Sequence, residues 1–182
     1  MEKIPTIFKR NPENPRELLN QPHSECLWVF NGEGTATRKY DGTCVLIEHD
    51  GSYWKRRESR RGKTPPDGFV SISTDPNTGK TVGWIPVDPE QPENKWHMEA
   101  FKGAFAPGTY ELLGPKVQGN PEKVTRHLLK KHSGATLYPD TPRTFKGLYA
   151  WLKDMNIEGL VFHHPDGRMA KIKKRDFGLK RA

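Results

Sequence analysis

The chain has 182 residues, 33% of them hydrophobic, which is enough for one domain with a buried core. Its 17 glycines and 16 prolines favour turns and short strands and argue against a helical bundle. The formal net charge of +8 suits a polyanionic partner but does not separate nucleic acid from a nucleotide or an acidic membrane.

The two cysteines, Cys26 and Cys44, lack the CxxC or Cys-His spacing of a zinc site. Their number argues against a disulfide framework and is compatible with a reducing cytosol. No apolar run approaches the ~18 residues needed to cross a bilayer, and the first ten residues do not read as a signal peptide. We therefore expect a soluble, cytoplasmic monomer without a membrane partner.

The first half of the chain predicts an irregular arm followed by hairpins. Residues 1–22 carry four prolines, with a short helical turn expected at 15–19. Strands are predicted at Cys26–Phe30, Thr35–Lys39, Cys44–Glu48 and Tyr53–Glu58. Residues 59–94 are polar and rich in proline and glycine, and predict a long inserted loop. The basic residues at its start either follow a nucleic-acid backbone or belong to a solvated loop.

The second half predicts short helices and a final hairpin. Helices are expected at Lys95–Phe101, from Asn120, and after Thr144, where apolar residues at helical spacing indicate a core-facing stripe. Strands are expected at Gly108–Gly114, Ile157–His163 and Met169–Lys173, the last two joined by a turn at 165–167.

The segment Lys39-Tyr40-Asp41-Gly42 carries the first candidate for catalysis. Residues two apart on an extended chain point the same way, so Lys39 and Asp41 share a face, and Gly42 permits a turn or close approach of a ligand. The lysine is a candidate amine nucleophile. The alternative is a solvated lysine–aspartate pair before a hairpin strand.

The segment Lys171-Ile172-Lys173 repeats the strand period near the end of the chain. Two ammonium groups on one face repel each other unless an anion such as phosphate lies between them. Glu158 lies at the start of the neighbouring predicted strand and is a candidate Mg²⁺ ligand. Taken alone, the lysines are also compatible with a charged edge strand that resists aggregation.

Together these segments resemble the covalent nucleotidyltransferase superfamily of DNA ligases, RNA ligases and mRNA-capping enzymes. The closest likeness is to the small cytosolic 5′-to-3′ RNA ligases of vertebrates with phage and bacterial relatives. The resemblance covers most of the chain and rests on the order and spacing of these motifs: KYDGTC (39–44), YWKRRE (53–58), GWIPV (83–87), YELLGPK (110–116), IEGLVFHHPDGRMAKIK (157–173) and KRDFG (174–178).

The resemblance implies an ATP-dependent RNA ligase. Lys39 would attack the α-phosphate of ATP and form lysyl-AMP. AMP would then pass to the 5′-phosphate of an RNA strand, and a 3′-hydroxyl would displace it. The implied cofactors are ATP and Mg²⁺ (or Mn²⁺), and the implied partner is RNA with 5′-phosphate and 3′-hydroxyl ends.

The resemblance also implies roles for individual residues. Glu111 would bind the ribose, and Lys171 and Lys173 would hold the α-phosphate. Glu158 would assist the metal and the nucleophile, with Asp41 as a further metal ligand. Arg57, or Lys55, would contact AMP or the 5′-phosphate. The implied nucleotide-binding set is Thr37, Arg38, Lys39, Asp41, Gly42, Arg57, Glu111, Glu158, Lys171 and Lys173, of which Lys39, Glu158, Lys171 and Lys173 are catalytic.

One position departs from the pattern. Many DNA ligases and capping enzymes carry an arginine two residues after the motif glycine, where this chain has Cys44. This favours the RNA-ligase branch and leaves open which arginine replaces the missing one. Tyr138, Phe145 and Tyr149 are candidates to stack on adenine.

The expected fold is a single α+β adenylyltransferase domain over 1–182, with twisted antiparallel sheets enclosing a nucleotide pocket as in ATP-grasp-like ligase domains. Lys39, Glu111, Glu158, Lys171 and Lys173 should line that pocket. A separate OB domain is not expected, because only nine residues follow Lys173. The alternatives are a DNA ligase, a capping-type nucleotidyltransferase, or a non-catalytic RNA-binding module.

Overall fold

The computed structural model of the protein describes residues 3–76 and 78–181. Within them, strands and short helices form an α+β arrangement of mostly antiparallel sheets. The strands are β1 (Phe8–Arg10), β2 (Leu18–Pro22), β3 (Thr35–Lys39), β4 (Thr43–Ile47), β5 (Tyr53–Ser59), β6 (Val70–Thr74), β7 (Thr81–Pro86), β8 (Gly108–Leu113), β9 (Leu128–Lys131), β10 (Gly159–His163) and β11 (Met169–Lys173). The helices are α1 (Leu27–Phe30), α2 (Lys95–Ala100) and α3 (Phe145–Asp154). The predicted class is confirmed to this extent, and an enclosed nucleotide pocket stays a prediction.

The chain divides into two compact units. The terminal unit consists of Ile4–Tyr40 together with the residues from Ala135 onward. The central unit consists of Asp41–Gly134 together with Lys3 at the start of the described chain. Each unit has its own hydrophobic core.

The terminal unit is built on a three-stranded antiparallel sheet in the order β11-β10-β3. One face of this sheet carries Leu160, Phe162 and Ile172, which are fully buried beneath α3 and the β1-β2 hairpin. Helix α3 contributes Leu148 and Leu152 to the same core, as its predicted apolar stripe requires. The opposite face of the sheet is therefore available to polar side chains.

The outer edge of β11 is partly covered by the N-terminal segment. The amide of Lys171 donates to the carbonyl of Pro5, and the amide of Ile7 donates to the carbonyl of Lys171, at 2.9 and 3.0 Å. Thr6 and Lys171 form a parallel bridge between these bonds. The strand that carries the lysine pair is thus hydrogen-bonded on both sides at this point.

The central unit is built on a six-stranded antiparallel sheet in the order β6-β7-β5-β4-β8-β9. Val45, Tyr110 and Leu112 are buried in its core, with Phe101 beside α2 packed against them. Because neighbours in a strand point to opposite faces, Cys44 and Glu111 lie on the face away from this core.

Most predicted elements between 35 and 58 and between 95 and 173 are confirmed. The side chain of Thr144 caps α3 by accepting a hydrogen bond from the amide of Gly147 at 3.2 Å. Strands β10 and β11 pair as the predicted hairpin. Among the described residues, no helix combines the length and hydropathy needed to cross a lipid bilayer.

Two predictions in the first third of the chain are wrong. Residues 26–30 form a 3-10 turn and α1 rather than a strand, because the Trp28 indole donates to the nearby carbonyl of Glu25 and closes a local turn. The proline-rich arm contains the β1-β2 hairpin, because Phe8 and Leu18 both turn into the core.

Two predictions in the middle of the chain are also wrong. The predicted loop 59–94 contains β6 and β7, and β7 pairs with β5 because Val82 and Trp84 supply it with buried side chains. No helix begins at Asn120. This residue has a φ of 57°, and its side chain bonds both the amide and the carbonyl of Val124, which closes a loop instead.

Candidate active site

Two lysines from different strands of the terminal unit meet at one carboxylate. The Nζ atom of Lys39 lies 2.6 Å from Oε2 of Glu158, and the Nζ atom of Lys173 lies 2.6 Å from Oε1. The side chains are 20%, 9% and 15% exposed for Lys39, Glu158 and Lys173. We call these three residues the Lys39 cluster. The sequence prediction placed all three in one site, and the structure brings them together.

The strand register explains this meeting. Gly159, directly after Glu158, pairs with Lys39 on β3 and with Lys173 on β11. A Cβ at Gly159 would clash with the carbonyl oxygen of Ile172 and lie 2.7 Å from the Cα of Lys173. Glycine therefore permits the close approach of the strands beneath the cluster.

The sheet sorts the remaining predicted residues of the terminal unit onto its two faces. Thr37 and Lys171 pair with Val161 and share a face with the Lys39 cluster by the period of two. Thr37 is nearly buried, and its hydroxyl contacts His163 Nε2 at 2.9 Å. Arg38 points to the other face, where its guanidinium lies over the ring of Tyr40. The structure does not bring Arg38 to the side of Lys39.

The chain after β11 fixes Lys173 in place. The backbone amide of Lys173 donates to Asp176 at 2.9 Å, and Asp176 also pairs with Arg10 at 2.6 Å. The buried Lys174 turns the other way, and its ammonium donates to the carbonyls of Lys153 and Met155 at the end of α3. Of these two adjacent lysines, Lys173 thus contacts Glu158 in the Lys39 cluster, and Lys174 binds the carbonyl groups at the end of α3.

The Lys39 cluster shifts the acidity of its carboxylate. Burial of Glu158 by itself raises the pKa, but the charges of Lys39 and Lys173 outweigh it and hold the pKa of Glu158 below its ordinary value. Glu158 is therefore ionised at neutral pH, and its negative charge is matched by two positive charges.

This electrostatic balance predicts a pH-dependent stability. Because the pKa of Glu158 is lower in the folded than in the unfolded protein, its ionised carboxylate stabilises the fold at pH values above the unfolded pKa of ~4.3. This stabilisation is lost as the pH falls through the folded pKa. Glu158→Gln should therefore cost about 3 kcal/mol at pH 7, because two partly buried lysines lose their counter-charge. The difference from the parent should shrink below about pH 4. Urea unfolding across this range measures it.

The exposed Glu13 provides the matched control. Glu13→Gln should leave the free energy of unfolding close to that of the parent at each pH. An equal stability loss for Glu158→Gln at pH 7 and at pH 3 would contradict the assigned role of the charge.

In the central unit, two neighbours hold the carboxylate of Glu111, and a third holds one of those neighbours. Its Oε1 accepts the backbone amide of Gly42 at 3.1 Å, and its Oε2 contacts His132 Nε2 at 2.9 Å. The other ring nitrogen of His132 contacts the hydroxyl of Thr109 at 3.0 Å. A Cβ at Gly42 would lie 2.9 Å from the side chain of Glu111, so glycine is needed there. Sequence analysis found Gly42 and Glu111 but missed His132.

The pairing of β4 with β5 places the neighbouring Arg56 and Arg57 on opposite faces of the sheet. Val45 pairs with Lys55, which places Lys55 and Arg57 on the core-facing side of the sheet. Arg56 instead lies on the side of Cys44 and Glu111, close enough to Cys44 to lower the pKa of its thiol. Sequence analysis chose Arg57 or Lys55. The period of two could have identified Arg56 only if the register had been known.

The thiol of Cys44 holds its proton at neutral pH. Burial, with a further contribution from the Glu111 carboxylate, raises the pKa of Cys44 to about 12, although the nearby Arg56 opposes the rise. Asp41 lies in the same unit, and its backbone amide donates to Glu122 at 3.0 Å.

The three candidate adenine-stacking residues belong to the terminal unit. Tyr138 packs edge-on against Trp151, and Phe145 packs against Phe8 and Phe177. Tyr149 is 40% exposed and lines a surface cavity together with Phe145. Tyr149 is therefore the most accessible of the three rings.

Comparisons with known proteins give a consistent likeness. No family model matches the chain. A protein of Mus musculus is 25% identical over 159 residues, covering 69% of this chain and 46% of its own length. A protein of Danio rerio is 24% identical over 136 residues, covering 56% and 42%. Both are named RNA ligase 1. The chain is similar to RNA ligases.

These RNA ligase 1 proteins are longer than the chain, which spans about half the length of those it matches. An identity near 25% supports kinship to RNA ligases at most and assigns no role to any residue. Residue roles must therefore come from the geometry of the site.

Glu158 is the residue of the terminal unit that would hold the Mg²⁺ implied by the resemblance to RNA ligases. Glu158 supplies one carboxylate, and Mg²⁺ is commonly held by one or two carboxylates completed by substrate phosphates and water. Both oxygens of Glu158 contact lysines, which are groups that an arriving phosphate would also attract. The residues fit such an ion when the polyphosphate of a substrate is present.

Proposed function

We propose that the chain is an ATP-dependent RNA ligase that joins 5′-phosphate and 3′-hydroxyl ends through lysyl-AMP. The observation that carries the proposal is the Lys39 cluster, in which a candidate nucleophile and a second lysine converge on one nearly buried carboxylate. The likeness to proteins named RNA ligase 1 supports RNA as the substrate.

The proposed chemistry has three displacements at phosphorus. In the first, the neutral amine of Lys39 forms a bond to the α-phosphorus of ATP and gives up one proton to solvent, while the bond from that phosphorus to the oxygen of the β-phosphate breaks and pyrophosphate leaves with the electron pair. In the second, an RNA 5′-phosphate oxygen displaces the lysine, which regains its proton. In the third, an RNA 3′-hydroxyl attacks the 5′-phosphorus, gives up its proton, and AMP leaves.

The protonation of Lys39 is the first barrier in this scheme. An amine attacks only without its extra proton, and the adjacent Glu158 carboxylate favours the charged ammonium form. The Lys39 cluster is therefore a resting arrangement that positions the amine. A phosphate group that attracts Lys39 and Lys173 away from Glu158 would leave that carboxylate able to accept a proton or bind a cation.

The other lysine positions act on the phosphate. Lys173, with Lys171 on the same face of β11, provides positive charge where negative charge gathers on the α-phosphate oxygens. Mg²⁺, held by Glu158 and the phosphates, would supply further charge stabilisation. In the central unit, we propose Glu111 as the ribose-binding residue, with Gly42 and His132 holding its carboxylate.

The test is covalent labelling. The protein is incubated with α-labelled ATP and Mg²⁺, denatured, and examined for retained label. The proposal expects a denaturation-resistant label with ATP but not GTP, which separates it from a capping-type enzyme. It also expects sealing of RNA but not DNA ends, which separates it from a DNA ligase. RNA binding without any label would favour the non-catalytic module.

The two neighbouring arginines offer a matched prediction within this scheme. The resemblance assigns the contact with AMP or the 5′-phosphate to Arg57 or Lys55, whereas the register places Arg56 on the face of Glu111. Arg56→Ala should lower the rate of label formation about 100-fold, as expected for removing a donor to a developing negative charge. Arg57→Ala should lower it much less. Single-turnover labelling measures both, and the reverse order would return the role to Arg57.

A further inference from the structure

Three side chains with metal-binding atoms meet on the non-core face of the central unit. The Sγ of Cys44, a carboxylate oxygen of Glu111 and a ring nitrogen of His132 all lie within 4.8 Å of one another. Glu111 is buried, and the other two are partly buried. We call these residues the Cys44 cluster.

The sheet builds this cluster from distant parts of the chain. Cys44 on β4 lies directly opposite Glu111 on β8, and His132 follows β9, the next strand. The three ligands are separated by 67 and 21 positions, the differences between 44, 111 and 132. The lack of CxxC or Cys-His spacing argues only against a zinc site whose ligands lie close together in the sequence, and these three ligands are far apart.

The contacts around the cluster match those around metal ligands in proteins. A metal-bound histidine usually donates its other ring N–H to an oxygen, and His132 Nδ1 lies 3.0 Å from the hydroxyl of Thr109. A ligating carboxylate is also usually hydrogen-bonded, and Glu111 accepts the amide of Gly42. The 2.9 Å separation of His132 Nε2 and Glu111 Oε2 would widen slightly to admit an ion between them.

We propose that Cys44, Glu111 and His132 form a three-ligand site for Zn²⁺. Sulfur, imidazole nitrogen and carboxylate oxygen are the donors that Zn²⁺ takes, and three protein ligands leave a fourth position for water or a substrate group. A thiolate and an imidazole disfavour Mg²⁺, which prefers oxygen ligands. The three ligands all belong to the central unit and share no residue with the Lys39 cluster.

Charge and proton balance constrain the binding step. The S–H bond of Cys44 breaks, the sulfur forms a bond to Zn²⁺, and the proton passes to solvent. Thiolate and carboxylate together then offset the two charges of the ion. Without an ion, burial and the Glu111 carboxylate favour the protonated thiol, and Arg56 opposes them only in part, so the bond to Zn²⁺ must displace that proton. Arg56 beside Cys44 and Lys130 opposite Glu111 also add positive charge that weakens the attraction of a cation.

A bound ion would have a consequence that rests on the proposed function. An ion bound between Glu111, Cys44 and His132 would occupy the space beside the carboxylate that a ribose hydroxyl must enter to reach it. Zn²⁺ at the Cys44 cluster should therefore oppose nucleotide use and act as an inhibitor of lysyl-AMP formation.

The closing experiment uses Co²⁺ as a spectroscopic probe on the full chain without ATP. A cysteine ligand gives a sulfur-to-cobalt charge-transfer band, which reports the Cys44 bond directly. The parent should show the band at one ion per chain, and Zn²⁺ should bleach it. At low buffer concentration, addition of Zn²⁺ should release a proton.

Variants locate the ion. Cys44→Ser should abolish the band, and His132→Gln should weaken binding strongly. Thr109→Val should weaken it about 10–100-fold through loss of the outer contact. The control is Cys26→Ser in the terminal unit, which should keep the band. Circular dichroism checks that each variant is folded, and Thr109→Val tests the site if Cys44→Ser does not fold.

A folded parent without the band would overturn the proposal, as would a band that persists in Cys44→Ser. If the folded parent lacks the band, Cys44, Glu111 and His132 form a hydrogen-bonded network without affinity for the metal. Labelling with ATP then tests the consequence: Zn²⁺ should suppress label in the parent and much less in Cys44→Ser. Cobalt binding without any ATP label would refute the ligase assignment and leave the metal site intact.

Discussion

Lys39→Arg is expected to abolish the covalent label from α-labelled ATP as completely as Lys39→Ala. A guanidinium retains a positive charge for Glu158 but cannot lose a proton to become a nucleophile at neutral pH. The arginine variant thus keeps much of the ion pair while removing the chemistry. Gel detection of label after denaturation, with unfolding measured alongside, separates loss of the nucleophile from loss of the fold.

Lys146→Arg is the matched control for this prediction, since Lys146 is exposed on α3. It should retain label at the level of the parent. Label remaining on Lys39→Arg would show that another residue accepts the nucleotide. A peptide map of the labelled parent would then identify that residue.

Gly159→Ala is expected to damage both stability and labelling. The added methyl group would press on the carbonyl of Ile172 and on the backbone of Lys173, forcing β10 and β11 apart. Overpacking of this kind costs about 1–3 kcal/mol. Because the same strands position Lys39 and Lys173, a displacement of about 1 Å should also lower the labelling rate about 100-fold.

Gly134→Ala tests whether the effect is specific to that strand contact. A Cβ at Gly134 meets no atom within 4 Å, so the variant should unfold and label like the parent. Gly159→Ala with unchanged labelling would show that the spacing of β3, β10 and β11 does not control the site. Urea unfolding and single-turnover labelling of both variants give the comparison.

The sequence placed Lys39 and Lys173 in one site with Glu158 because the two lysines sit on strands with a clear period of two. In β11, Ile172 is buried whereas Lys171 and Lys173 on either side are partly exposed, as the alternation requires. Within each motif, the alternation of residue types therefore shows which side chains share a face of the sheet. The contact of both Lys39 and Lys173 with Glu158 depends on strand order, which a single sequence does not specify.

The roles that we propose for Arg56 and for the Cys44 cluster could not be predicted from the sequence, for a related reason. A shift of one residue in register turns every side chain of a strand to the other face. Arg56 and Arg57 are neighbours, so choosing between them required the pairing of Val45 with Lys55. The Cys44 cluster likewise depends on three strands meeting in the central unit.

Residues 5–7 protect the outermost strand of the terminal unit, β11, so that this strand is sensitive to shortening of the N-terminal segment. Their backbone bonds with Lys171 occupy groups that would otherwise project from an open sheet edge. Shortening the protein past Ile7 would leave those amide and carbonyl groups ready to recruit a second molecule, strand against strand. Self-association of such a shortened protein would then place a second chain beside the strand that carries Lys171 and Lys173, the lysines that we propose hold phosphate.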